Sequence, residues 1–152
     1  MKVAWKRLFW KEDDGTILAE ALLVIPVVTI FAVGILEFGN VFWQRHLLEV
    51  GVRDAARYWS RCKPTFSSCS LETARNIALY GNPEKAGSLR VPNWQGDGAV
   101  TILPSVPVTS PSYGDTVVVT GTMTYAPSPV FGFLDIGNIS ITYTHQERYY
   151  GW

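Results

Sequence analysis

The sequence predicts an α+β protein: a long N-terminal membrane-spanning helix continuing into an amphipathic extramembrane helix, packed with a short second helix and a small antiparallel β-sheet. Three observations carry this expectation. An apolar block runs from Ile17 to Phe38 and is interrupted only by Glu20, Thr29 and Glu37. Apolar residues then keep recurring at spacings of three and four as far as Trp59, which is one face of a continuing helix. In the last third of the chain, Val and Ile alternate with Thr and Ser, the period of half-buried strands.

With 152 residues the chain has room for one modest domain and an appendage. The formal net charge is zero and the sequence pI is about 6.7, so no overall field favours nucleic acid or acidic partners. The organisation read along the chain is a leader over 1–15, a transmembrane helix half over 16–38 and an amphipathic half over 39–61. A loop, short helix and second loop occupy 62–98, and a sheet region occupies 99–152.

The leader carries Lys2, Lys6, Arg7 and Lys11, followed by Glu12, Asp13 and Asp14. Lys and Arg set membrane orientation while acids count for little, so this end is expected in the cytoplasm and the remainder in the periplasm. At 1.5 Å per residue, the apolar block spans roughly 33 Å, enough for a hydrocarbon core of about 30 Å. Pro26 lies inside it, where it should kink the helix; membrane helices tolerate this better than soluble ones. Gly34 and Gly39 would permit close helix–helix contact.

Three readings of this block compete. It is a plain membrane anchor, a secretory signal peptide cut near Ala32-Val33-Gly34, or a segment cut on the cytoplasmic side before the apolar block. Glu20 speaks against the signal peptide because it interrupts the apolar region, and a carboxylate near a membrane span needs a reason. The run Gly15-Thr16-Ile17-Leu18-Ala19-Glu20-Ala21-Leu22-Leu23-Val24-Ile25-Pro26 resembles TadE-like pseudopilins of the tight-adherence (Flp) type IVb pilus system. The segments Ile35-Leu36-Glu37-Phe38-Gly39 and Val52-Arg53-Asp54-Ala55-Ala56-Arg57-Tyr58 resemble them too. Ala21 stands where many members have an aromatic, and Asp14 where a basic residue is common.

The resemblance implies cleavage by a prepilin peptidase after Gly15, leaving Thr16 as first residue and Glu20 as fifth, and a pilin-like fold. It also implies partners: the inner membrane, the peptidase, other pilin-like subunits and the pilus assembly machinery. Physical chemistry gives Glu20 a use independent of the family. Cleavage after Gly15 creates an α-amine one helical turn from Glu20, and the two charges neutralise one another within the chain or between neighbours. In an assembling filament a paired carboxylate selects an axial register. By the resemblance, Glu20, Pro26, Glu37, Arg53 and Arg57 are the candidate assembly and packing positions.

Beyond the membrane half, Phe38, Val41, Arg45, Leu48, Val52, Ala55 and Trp59 form the predicted inward stripe. Gln44, Glu49, Arg53, Asp54 and Arg57 form the polar face, with Glu49–Arg53 and Asp54–Arg57 as expected ion pairs. That face is either solvated or a contact set for another subunit. Cys62 and Cys69 follow at once, with Pro64 ending the helix. In a periplasmic loop they are expected to form a structural disulfide. Neither zinc-ligand spacing nor a Cys-x-x-Cys redox motif is present, and His46 and His145 stand apart.

Ser70 caps a predicted short helix carrying Leu71, Ala74, Ile77, Ala78 and Leu79 that stops at Gly81-Asn82-Pro83. Gly81 to Gly98 reads as loop. Ala99–Leu103, Thr116–Tyr125 and a final segment from Ile139 through His145 read as strands, the second with Val117, Val119, Met123 and Tyr125 on one face and Gly121 as a bulge or close approach. The apolar stretch 127–134 and the terminal Tyr149-Tyr150-Gly151-Trp152 are either a partner surface or rings folded over the sheet end.

No nucleophile elbow, phosphate loop, metal-ligand cluster or paired carboxylates stand in the sequence. The expectation is a non-enzymatic minor pilin or pseudopilin without cofactor or metal. The alternatives are an uncleaved membrane-anchored periplasmic scaffold or binding domain, and a tethered periplasmic enzyme.

Overall fold

The computed structural model describes residues 14–63, 65, 69–96, 98–125, 127, 128, 131 and 138–150. The leader before Asp14, Pro64, most of the apolar stretch 127–134 and the terminal Gly151-Trp152 lie outside the described residues. The elements are α1 (Asp14–Ser60), α2 (Leu71–Tyr80), β1 (Val100–Leu103), β2 (Thr116–Tyr125) and β3 (Ile139–Arg148). The chain divides into two compact units, Met1–Phe38 and Gly39–Trp152.

In the first unit, the described residues belong to α1 and are apolar on every side. Leu18, Leu22, Ile25, Phe31 and Leu36 are all predominantly exposed. A helix that is apolar all round needs either a protein core or a bilayer around it. Among the described residues, α1 is the one helix long and apolar enough to cross a membrane, which fits a single-pass anchor. Pro26 sits inside it and supplies no N–H to the turn before it. One turn on, the Thr29 hydroxyl donates to the Ile25 carbonyl at 2.8 Å.

The second unit packs the later turns of α1 with α2 and a three-stranded antiparallel sheet in the order β1-β2-β3. Its core takes Leu48, Val52, Ala55, Ala56 and Trp59 from α1, Ala74 and Ala78 from α2, and Val117, Val119, Met123 and Tyr125 from β2. The β2 alternation matches the sequence expectation because a period of two places these four side chains on one face. On the other face the threonines pair across strands. Thr120 meets Thr144 at 2.9 Å and Thr122 meets Thr142 at 3.2 Å, hydroxyl to hydroxyl.

The inward stripe of α1 differs from the predicted one at its start. Gln44, expected on the polar face, is buried, whereas Phe38 and Arg45 are exposed. The reason is a polar contact at that level: the Asn40 amide donates to the Tyr125 hydroxyl at 3.0 Å, and Gln44 donates to Asn40 at 3.3 Å. A buried amide with hydrogen-bond partners is tolerated where an isolated one is not. The apolar stripe proper therefore begins at Leu48. Glu49–Arg53 forms as expected at 3.4 Å. Asp54, however, pairs with Arg90 at 2.6 Å and not with Arg57.

Helix α2 begins at its predicted cap, Ser70, whose hydroxyl accepts from the Thr73 N–H at 3.0 Å. It ends at Gly81, which is left-handed at φ 79° and returns its N–H to the Ile77 carbonyl. The segment 81–98 is irregular, as predicted, but it is more than a connection. Val91 and Trp94 are fully buried within it, and the Trp94 indole N–H donates to the Ala99 carbonyl at 3.0 Å.

Two glycines make room for that ring. A Cβ on Gly51 would stand 2.5 Å from the Ala78 carbonyl oxygen and 2.9 Å from the Trp94 ring. One on Gly121 would stand 2.6 Å from a Val52 methyl and 3.0 Å from Trp94. The β2–β3 register runs without interruption from Thr116↔Arg148 to Tyr125↔Ile139, so Gly121 is a close approach and not a bulge.

Candidate functional site

Gly15 and Thr16 lie at the start of the described part of α1. Among the described residues no atom lies within 4 Å of where a Cβ on Gly15 would be, as at Gly34 and Gly39. Glu20 is exposed on α1 four residues after Thr16, and among the described residues no hydrogen bond or ion pair engages it. Glu37, the other acid of the apolar block, is buried.

Arg53 and Arg57, grouped by the sequence reading, have different surroundings. The Arg53 Nε donates to the Tyr143 hydroxyl at 3.3 Å, and its guanidinium carbon lies 5.8 Å from the centre of that ring. Glu49 sits between Arg53 at 3.4 Å and Arg45 at 3.3 Å. The Tyr143 bond raises the pKa of Arg53, with Glu49 acting the same way, and keeps it charged. Arg53 is thus a strut from α1 to β3, whereas Arg57 is exposed.

Cys62 and Cys69 come together beyond the end of α1. Both are unbridged, Cys62 buried and Cys69 half-buried, and a hydrogen bond joins the two side chains. Burial, followed by the contact with Cys69, pushes the Cys62 thiol up to about 12. Burial likewise, then the neighbouring Cys62, pushes the Tyr58 hydroxyl up to about 12. A reactive cysteine needs a depressed pKa, so this setting opposes a nucleophilic role for Cys62. Tyr149, whose hydroxyl donates to the Cys62 carbonyl, is buried against the pair. Of the terminal aromatics, Tyr149 therefore folds over the sheet end, whereas Tyr150 is exposed.

Among the described residues there is no group of three or more His, Cys, Asp or Glu that could hold a metal ion. The hollows beside α2 are open and mixed in character; one is lined by Glu72, Arg75, Tyr80 and Lys85.

The segment from Gly15 through Glu20 and the helix face up to Arg57 is similar to a known family. Residues 15–57 match the family model for TadE-like protein. The TadE-like segment takes in Gly15, Thr16, Glu20, Pro26, Glu37, Arg53 and Arg57, which agrees with the resemblance read from the sequence, and stops before Cys62. No curated protein and no solved structure matches the chain. Trp94 and Arg90, both structurally central to the second unit, were not legible in the sequence. Neither lies in a periodic run, and both sit in a Gly- and Pro-punctuated loop.

Proposed function

We propose that this chain is a minor pilin or pseudopilin that acts in assembly of a tight-adherence (Flp-type) pilus for surface adhesion, after prepilin-peptidase cleavage following Gly15. The carrying observation is the match of residues 15–57 to TadE-like protein, a segment that opens on Gly15 with Glu20 five residues on. In this reading the protein is a single-pass component of the bacterial inner membrane, N-terminus in the cytoplasm and second unit in the periplasm, and enters or primes the filament. Its partners are the peptidase, other pilin-like subunits and the assembly machinery.

The new amine on Thr16 and the carboxylate of Glu20 then pair within or between chains at the membrane edge and set the axial register. The open space at Gly34 and Gly39 suits close approach by neighbouring helices. In the periplasm, Cys62 and Cys69 oxidise to a disulfide that ties the end of α1 to the cap of α2.

Intact-mass measurement in cells carrying the peptidase tests the proposal. A mature chain beginning at Thr16 supports it. An unprocessed chain refutes it and leaves the reading favoured by the independently cored second unit, a constitutively anchored periplasmic scaffold or binding domain. Glu20→Leu should leave membrane insertion intact while reducing assembly, and normal assembly by that variant removes the register role.

A further inference from the structure

Where α1 enters the second unit, its polarity is turned inside out. Gln44 is buried and donates to Asn40, whose own amide donates to the hydroxyl of the buried Tyr125. The outward side of the same turns carries Phe42 at 64% and Trp43 at 62% exposure, and Phe38, one turn earlier, is 62% exposed. By the helical repeat, Phe38, Phe42 and Trp43 share one arc of the helix, and Val41, Gln44 and Leu48 share the opposite arc. A helix bathed in water shows the reverse, with polar residues outward and apolar ones toward the core.

Helix length sets the medium at this level. Counted from Glu20, placed at the membrane edge in the proposed function, a hydrocarbon core of about 30 Å takes roughly 20 residues and ends near Asn40. Trp43 stands about 4.5 Å further on, within a headgroup layer roughly 5–7 Å deep. Exposed apolar side chains run on to this point without a change of character, from Phe31, Ile35 and Leu36 through Phe38 to Phe42 and Trp43. Arg45 and His46, both exposed, follow at once. Apolar, then aromatic, then charged is the order met on leaving a bilayer, and Trp favours its interface. The inward amides suit the same medium, since a polar group at that depth has to be satisfied by the chain itself.

We propose that Phe42 and Trp43 dock in the outer headgroup layer of the bilayer, so that the lipid-covered part of α1 ends at Trp43 and not at Phe38. The second unit then begins at the membrane surface, with the Asn40–Tyr125 hydrogen bond at the level where lipid gives way to water. A neighbouring subunit's helix is the competing cover. It would account for the two rings, but not for their place between an apolar run and the exposed Arg45 and His46. The proposal rests on the single-pass anchor of the proposed function and is independent of cleavage after Gly15 and of the pilus.

The test measures tryptophan fluorescence of the full chain in phosphatidylcholine vesicles. Subtracting the emission of Trp43→Phe from that of the parent isolates the Trp43 signal, and circular dichroism establishes that the variant keeps its fold. The expected result is quenching by lipid brominated near the headgroup at least twofold stronger than by lipid brominated near the chain ends, with little quenching by iodide present on both sides of the bilayer. Quenching by iodide and by neither lipid places Trp43 in water and overturns the proposal. A signal that none of the three quenchers reaches means that protein covers the ring, which also overturns it. Phe31→Trp, near the bilayer centre by the same count, separates this failure from failure of the anchor. If lipid brominated near the chain ends quenches the new Trp while Trp43 stays unquenched by either lipid, the anchor stands and the docking falls. If neither position is quenched by lipid, the anchor itself is wrong and the docking falls with it.

Discussion

Gly51→Ala offers a test whose sign, and not only its size, decides whether the packing is right. Gly51 lies in the interior of α1, where replacing glycine by alanine should stabilise a helix by about 1 kcal/mol. The structure predicts the opposite outcome. The new methyl would meet the Ala78 carbonyl oxygen at 2.5 Å and two atoms of the Trp94 ring at 2.9 and 3.0 Å. Neither neighbour is the free end of a flexible side chain: one is backbone in α2 and the other a buried ring held by its indole N–H. Relief requires α2 and Trp94 to move away from α1 together. Overpacking against rigid neighbours costs about 3 kcal/mol at the upper end of its usual range. With the helix-propensity gain subtracted, a net loss of about 2 kcal/mol remains. That corresponds to a melting temperature lower by roughly 8 °C for a unit of this size. The assay is thermal unfolding of the full chain in detergent, followed by near-ultraviolet circular dichroism. Gly39→Ala serves as control, because no atom lies within 4 Å of its added carbon, and it should be neutral or slightly stabilising. If Gly51→Ala melts at or above the parent temperature, the close crossing of α1 and α2 around Trp94 is wrong.

Trp94→Phe removes one of the two donors to the buried Ala99 carbonyl, leaving the Thr122 N–H, and shortens the ring, with an expected loss of about 2 kcal/mol in a urea titration. Ser70→Ala deletes the hydroxyl that accepts from Thr73 and should lower stability by about 1 kcal/mol while leaving the helix content outside α2 unchanged. Oxidising Cys62 to Cys69 should add about 2–3 kcal/mol by the loop-closure estimate, measured as the difference between oxidised and reduced chains. The same pair predicts a pH effect. In the reduced protein, the Cys62 pKa is raised from 9.0 to about 12, so the unfolded chain loses this proton first. The stability tied to it is complete below about pH 9 and drains away as pH rises towards 12. A urea series across that window should show a steeper decline for the reduced chain than for the oxidised one. Parallel slopes would mean that the thiol is not buried as described.

The sequence by itself determined everything that depends on local order along the chain. The apolar block, the cap at Ser70, the stop at Gly81 and the Val/Thr alternation of β2 are periodicities and short-range hydrogen bonds, set by residues within a turn or two of one another. The TadE-like segment was legible for the same reason, since a glycine and an acid five residues apart in an apolar run are visible without any fold. Tertiary structure alone decided what depends on distant partners. Trp94 becomes central only because Gly51 and Gly121 leave a gap that an irregular loop can fill, and neither glycine announces in sequence that it faces the other. Gln44 turned inward because Asn40 and Tyr125 gave that level of the helix a polar lining. Asp54 chose Arg90 over the neighbouring Arg57, since a bridge across elements lay at 2.6 Å. The exit of β3 is likewise fixed by backbone bonds joining Tyr149 to Asp115 and Tyr150 to Ser60. Pairing of that range is a matter of how the chain closes on itself, which periodicity does not encode.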